Sequence, residues 1–105
     1  MPQYRTLETY TEEYFSKHPE EIDDFMTESF AEYAKDGDNA ALLSQLRVIA
    51  RVKGISAIAS KAGISRQGLQ KALSSKGNPR LDNINAIMHA MGYSLMPQKM
   101  DTQVI

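Results

Sequence analysis

The chain has 105 residues, no cysteine, no tryptophan and a formal net charge of −1. That length suits one domain with a modest core, and the lack of cysteine excludes disulfides and zinc–thiolate sites. With no basic-then-apolar leader and no apolar run approaching about 18 residues, a cytoplasmic protein without a membrane span is expected.

Plentiful Ala, Glu, Lys, Leu and Met, with few β-branched runs, predict an all-α fold of five or six helices. The charges are sorted along the chain. Residues 1–38 hold Arg5, Lys17 and Lys35 against eleven acids, whereas residues 39–105 hold nine bases against Asp82 and Asp101. The basic two-thirds suits nucleic acid. The acidic third reads either as a solvated helix face or as a surface for a basic protein partner.

Residues 1–8 show no periodicity and are expected to be extended or loose. Thr9 and Glu12 make a weak capping box for a short helix over 10–17, where Leu7, Tyr10 and Tyr14 recur at helical spacing. His18-Pro19 breaks that helix, and Pro19 suits the first position of the next. There Ile22, Phe25, Met26, Phe30 and Tyr33 form one apolar stripe, while Glu20, Glu21, Asp23 and Asp24 crowd the positive end of the helix dipole. Asp36-Gly37-Asp38 ends it, and Asp38 can cap a third helix over 39–53. That helix turns Leu42, Leu43, Leu46, Ile49 and Ala50 inward and stops at Gly54.

Residues 55–74 carry the most information. They read as two short helices, about 56–62 and 65–73, joined by a turn at Gly63. Ile58, Ala59, Ala62, Ile64, Leu69 and Ala72 form a buried seam, leaving Ser65, Arg66, Gln67, Gln70 and Lys71 outside. A steep crossing needs a small residue at the contact, Ala59, and a residue free to take positive φ at the corner, Gly63. Ser56 and Ser65 stand where the helices begin and can cap them. This is the layout of a DNA-binding helix-turn-helix. A turn-rich loop, 74–79, leads to a last helix over 82–91 with Ile84, Ile87, Met88 and Met91 inward and Gly92 as its stop. Tyr93–Met96 is the most strand-like segment, and Pro97 would end it. The expected organisation is an acidic helical extension (1–37), a helix-turn-helix domain (38–96) and a flexible tail (97–105).

Catalytic chemistry finds no support. His18 and His89 are the only histidines and read as boundary residues, and no metal-ligand spacing or glycine-rich phosphate loop is present. A non-enzyme without cofactor or metal is expected.

Three stretches then carry a resemblance: Leu46–Gly54, Gly63–Ser74, and Gly77-Asn78-Pro79 with the Leu81–Gly92 helix. From about Pro19 to Met96 the chain resembles the HigA-like addiction-module antidote (antitoxin) family, within the Cro/Xre-type helix-turn-helix group. The resemblance implies a dimeric repressor, encoded beside a small RelE/ParE-type toxin, that binds both the toxin and its own promoter. Gln67 stands where relatives often carry Glu, and Gln70 where many carry Tyr. Both lie on the outward face and bear on the operator sequence.

On that reading the second helix of the motif enters the major groove by its N-terminal end. Arg66 would fork onto guanine O6 and N7, Gln67 would bridge adenine N6 and N7, and Lys71 would reach a second guanine or a phosphate. Ser65, Gln70, Lys76, Asn78 and Arg80 are expected at phosphates, and Gly68 is expected to permit a close approach to the preceding helix or to a phosphate. A palindromic operator calls for a homodimer, with Tyr93–Met96 pairing across the two-fold and Met88, Met91, Tyr93 and Leu95 at its interface. A stand-alone or phage-type regulator without a toxin remains open, as does a toxin-neutralising protein that has lost useful DNA affinity. The neighbouring gene separates the first, and a gel shift on its own promoter the second.

Overall fold

The computed structural model describes residues 6–100. Six helices follow one another: α1 (Leu7–Lys17), then a 3-10 turn at Pro19–Glu21, α2 (Ile22–Asp36), α3 (Asn39–Lys53), α4 (Ile55–Ala62), α5 (Arg66–Ala72) and α6 (Leu81–Met91). There is no strand among the described residues. None of the helices is long and apolar enough to cross a membrane.

α1 starts earlier than the sequence suggests. The Thr6 hydroxyl accepts the Thr9 amide at 3.0 Å, so Thr6 is the cap and residues 7–8 are helical rather than extended. The rest of the N-terminal expectation, for residues 1–5, lies outside the described residues, as does the tail at 101–105. Residues 97–100 are exposed and irregular. His18-Pro19 does break the first helix, but Pro19 opens the 3-10 turn, and α2 begins three residues later.

α3 is the hub. Leu43, Leu46, Val48, Ile49 and Ala50 are all buried, a wider stripe than one neighbour would need, because α1, α2 and α4 all pack on it. Asp38 caps it through the Ala41 amide at 3.1 Å. Gly54, at φ 105°, both ends α3 and starts α4. Ser56 therefore falls inside the first turn of α4 and does not cap it. Gly63 adopts φ 74° at the corner, and Ala59 is buried beside it. Ser65 caps α5, its hydroxyl accepting the Gly68 amide at 2.8 Å. One cluster runs from Phe15, Ile22 and Met26 through α3 to Ile58, Leu69, Leu73 and Ile87.

The expected C-terminal strand does not form. Gly92 is left-handed at φ 97°, and the Tyr93 amide folds back onto the Met88 carbonyl at 2.8 Å. The Tyr93 hydroxyl then donates to Asp23 at 2.6 Å, tying the segment to α2. With its amide and side chain committed within the chain, Tyr93 has no free ladder edge to offer. Met88 and Met91, expected at a dimer interface, are only 3% and 4% exposed and fill the chain's own core.

Candidate nucleic-acid interface

α5 is short, and its two faces are chemically distinct. Leu69 is fully buried and Ala72 half-buried on the inner side. At 100° per residue, Arg66, Gln70, Gln67 and Lys71 fall on one continuous outer arc, and all four are exposed. The structure thus brings together the expected base-reading residues Arg66, Gln67 and Lys71 and the expected phosphate contact Gln70. Ser65 sits at the head of that arc with its hydroxyl already engaged by the cap.

Lys76, Asn78 and Arg80 lie in the connection from α5 to α6, all exposed. Arg80 has Asp82 within 3.6 Å, an ion pair in full solvent that a phosphate can replace. The connection is fixed by Gly77. A Cβ there would stand 2.4 Å from the Ala72 carbonyl oxygen and 2.9 Å from that of Lys71, so only glycine lets the loop fold against the end of α5. Gly68 makes no comparable approach. The nearest neighbours of a Cβ there are the Ser65 hydroxyl at 3.0 Å and Ile64 at 4.0 Å, both in the turn rather than in α4.

Sequence reasoning missed what supports the far end of α5. The Arg47 guanidinium donates to the Leu73 carbonyl, just past the last residue of α5, and forks onto Glu8 of α1, with Nε at 3.0 Å and Nη2 at 2.5 Å. Ser44 donates to the same carboxylate at 3.1 Å, and Arg51 reaches it at 3.1 Å. Hydrogen bonding from Arg47, aided by its charge, by Ser44 and by Arg51, holds the Glu8 carboxyl below the usual range, against a partial loss of solvent that pushes it up. The i, i+4 spacing of Arg47 and Arg51 was a readable cue for two cations on one flank of α3. Their acidic partner, 39 residues from Arg47 and 43 from Arg51, had no local signal.

The acidic third also resolves into two classes of aromatic. Phe15 is buried, and Phe25 and Phe30 pack against the core. Tyr10, Tyr14 and Tyr33 are exposed. At the junction of α1 and α2, His18 Nδ1 approaches Glu20 at 3.5 Å and Glu21 at 3.9 Å, an exposed ionic cluster.

Against this geometry, a family described as "probable addiction module antidote protein" matches residues 11–99, nearly the whole described chain. The chain belongs to that family. An uncharacterized protein of Haemophilus influenzae is 42% identical over 81 residues, covering 76% of this chain and 78% of its own length. No solved structure shows significant similarity. Membership in an antidote family implies a toxin partner.

Proposed function

We propose that this chain is the antitoxin of a type II toxin–antitoxin module, that it neutralises a basic toxin of the RelE/ParE type, and that it represses its own promoter as a homodimer. DNA recognition falls to a Cro/Xre-type helix-turn-helix made by α4 and α5, as the resemblance to HigA-like antidotes suggests. The observation that carries the reading is the outer arc of α5. Arg66, Gln67, Gln70 and Lys71 present two cations and two amides, without an acid, on a helix whose other face is anchored by Leu69. Arg66 and Gln67, near the leading end, have the donor and acceptor geometry to read guanine and adenine. Lys76, Asn78 and Arg80 hold the adjacent backbone.

One such helix reads only a few base pairs, and useful affinity needs two half-sites about 34 Å apart. With Met88 and Met91 buried, an apolar corner for self-association is offered by exposed Leu81 and Met96 with half-buried Leu95, beside a groove lined by Arg80, Asp82 and Asn85. It adjoins the backbone-contact residues, so pairing there sets two copies of α5 side by side.

The test is binding to the gene's own promoter and to random duplex across a salt series. Arg66→Ala should cost about 1–3 kcal/mol on the cognate site and relax preference at one base pair. Lys76→Ala should weaken all duplexes alike and lower the salt slope by about one unit. Equal losses on cognate and random DNA for Arg66→Ala would remove it as a base reader.

A further inference from the structure

α1 is amphipathic in two directions. Its inner side holds Phe15 in the core and Glu8 on Arg47, and Glu12 reaches toward Arg51 at 4.0 Å. On its outer flank Leu7, Tyr10 and Tyr14, three and four residues apart, line up in one stripe and are 81%, 57% and 45% exposed. This is the densest run of exposed large apolar side chains on any described helix. The Tyr14 ring is pre-set. The Tyr14 hydroxyl donates to both oxygens of Glu21 at 2.8 Å, and its ring stacks on His18 with centroids 4.4 Å apart. A side chain held in place before binding loses little entropy when it becomes a contact.

The line of the stripe ends at Lys17, and otherwise acids dominate the exposed faces of α1, the 3-10 turn and α2. Glu13 is on α1, Glu20 and Glu21 on the turn below it, and Asp24, Glu28 and Glu32 lie at i, i+4, i+8 along the exposed side of α2. We infer that the Leu7–Tyr10–Tyr14 flank of α1, with its acidic surroundings, is the docking surface for a basic protein partner, the toxin of the proposed function on which this inference rests. Tyrosines with an apolar neighbour supply the buried anchors, and the carboxylates steer and select a cationic surface. A second copy of the chain is a poor occupant, because a two-fold contact would set these acidic surroundings against themselves. The α3- and α5-facing side of α1 carries Glu8 and Glu12, so the stripe points away from the Arg66–Lys71 arc. Toxin and operator then bind at the same time.

The experiment uses the full chain and the purified product of the toxin-type gene adjoining its own. Leu7→Ser/Tyr10→Ser/Tyr14→Ser should weaken that binding by at least about 100-fold, with an unchanged operator gel shift. Tyr10→Arg alone, at an exposed position that leaves the core intact, should cost at least about tenfold. Glu13→Lys/Glu20→Lys should slow association and flatten its salt dependence. A mixture of wild-type chain, toxin and operator should migrate as one ternary species. Wild-type binding with both stripe variants unaffected overturns the surface and leaves the antitoxin reading intact. No binding by the wild-type chain overturns both. A triple variant that turns a dimer into a monomer assigns the stripe to self-association instead.

Discussion

Gly77 is where a single atom decides most. Its φ is unexceptional, so the constraint is not handedness but space: a methyl group would collide with backbone carbonyls of α5, which cannot rotate away as a side chain can. Gly77→Ala should therefore destabilise the fold by about 1–3 kcal/mol, read as a fall in the urea midpoint, and also weaken operator binding by moving Lys76 and Asn78. Gly63→Ala differs in kind, meeting no neighbour but forcing an alanine into φ 74°. At Glu8 the constraint is ionic. Arg47, Arg51 and Ser44 all face its carboxylate and hold its ionisation below the ordinary value of 4.5. A depressed carboxylate contributes stability that is fully present above the unfolded value and is lost as pH falls through the folded one. Glu8→Gln should thus lower stability by about 1 kcal/mol at neutral pH, with the gap to wild type closing as pH falls below about 4.5. A gap that persists once the native Glu8 carboxyl is itself protonated would show that packing, not charge, is what the substitution removes.

At the scale of elements, most of the fold was legible because local signals coincided. The Asp38 cap, the Gly54 and Gly92 stops and the Ser65 cap all fall where spacing put them. The α5 arc was readable for the same reason: a seven-residue helix with one apolar row has only one way to face the core. The errors came from elements whose ends depend on distant partners. Thr6 outcompetes Thr9 as the cap of α1, and Gly54 serves two helices, so Ser56 is not needed as a cap. Tyr93–Met96 has the alternation of a strand, but the left-handed Gly92 turns it back and Asp23, 70 residues earlier, takes the tyrosine hydroxyl. Nothing in the local pattern announces that bond, nor the one between Glu8 and Arg47. Burial of Met88 and Met91 follows equally from α6 packing on α4, which a helical stripe alone cannot tell apart from an interface.

For the molecule as a whole, the segregation of charge becomes a division of surfaces. On the proposed reading, an acidic flank, a cationic arc and an apolar corner at Leu81, Leu95 and Met96 each serve a different partner. The corner is the one a second copy can share without like-charge repulsion. Light scattering at micromolar concentration should find a dimer, and Leu81→Asp should shift it to monomer while lowering operator affinity more than affinity for the toxin. A wild-type monomer that still binds its operator tightly would rule out the two-half-site arrangement.

α1 gives the core Phe15 alone, yet through Arg47 it helps hold the carbonyl that follows α5. In the language of time rather than contact, such a helix has a lifetime of its own. Its detachment exposes Phe15 with the side of α3 and the Phe25 ring it covers and opens one ionic fork, a smaller event than unfolding α3, so its amides should exchange with solvent deuterons through local openings, while those around Leu46 and Ile49 wait for the whole domain to open. Acid should hasten the first process before the second, since protonating Glu8 loosens the fork and leaves the Leu46 layer untouched. During each opening Arg47 loses its carboxylate and the last turn of α5 loses part of its support. The excursions of α1, the helix proposed to carry the toxin surface, therefore set the intervals during which α5, the helix proposed to read DNA, is least firmly held.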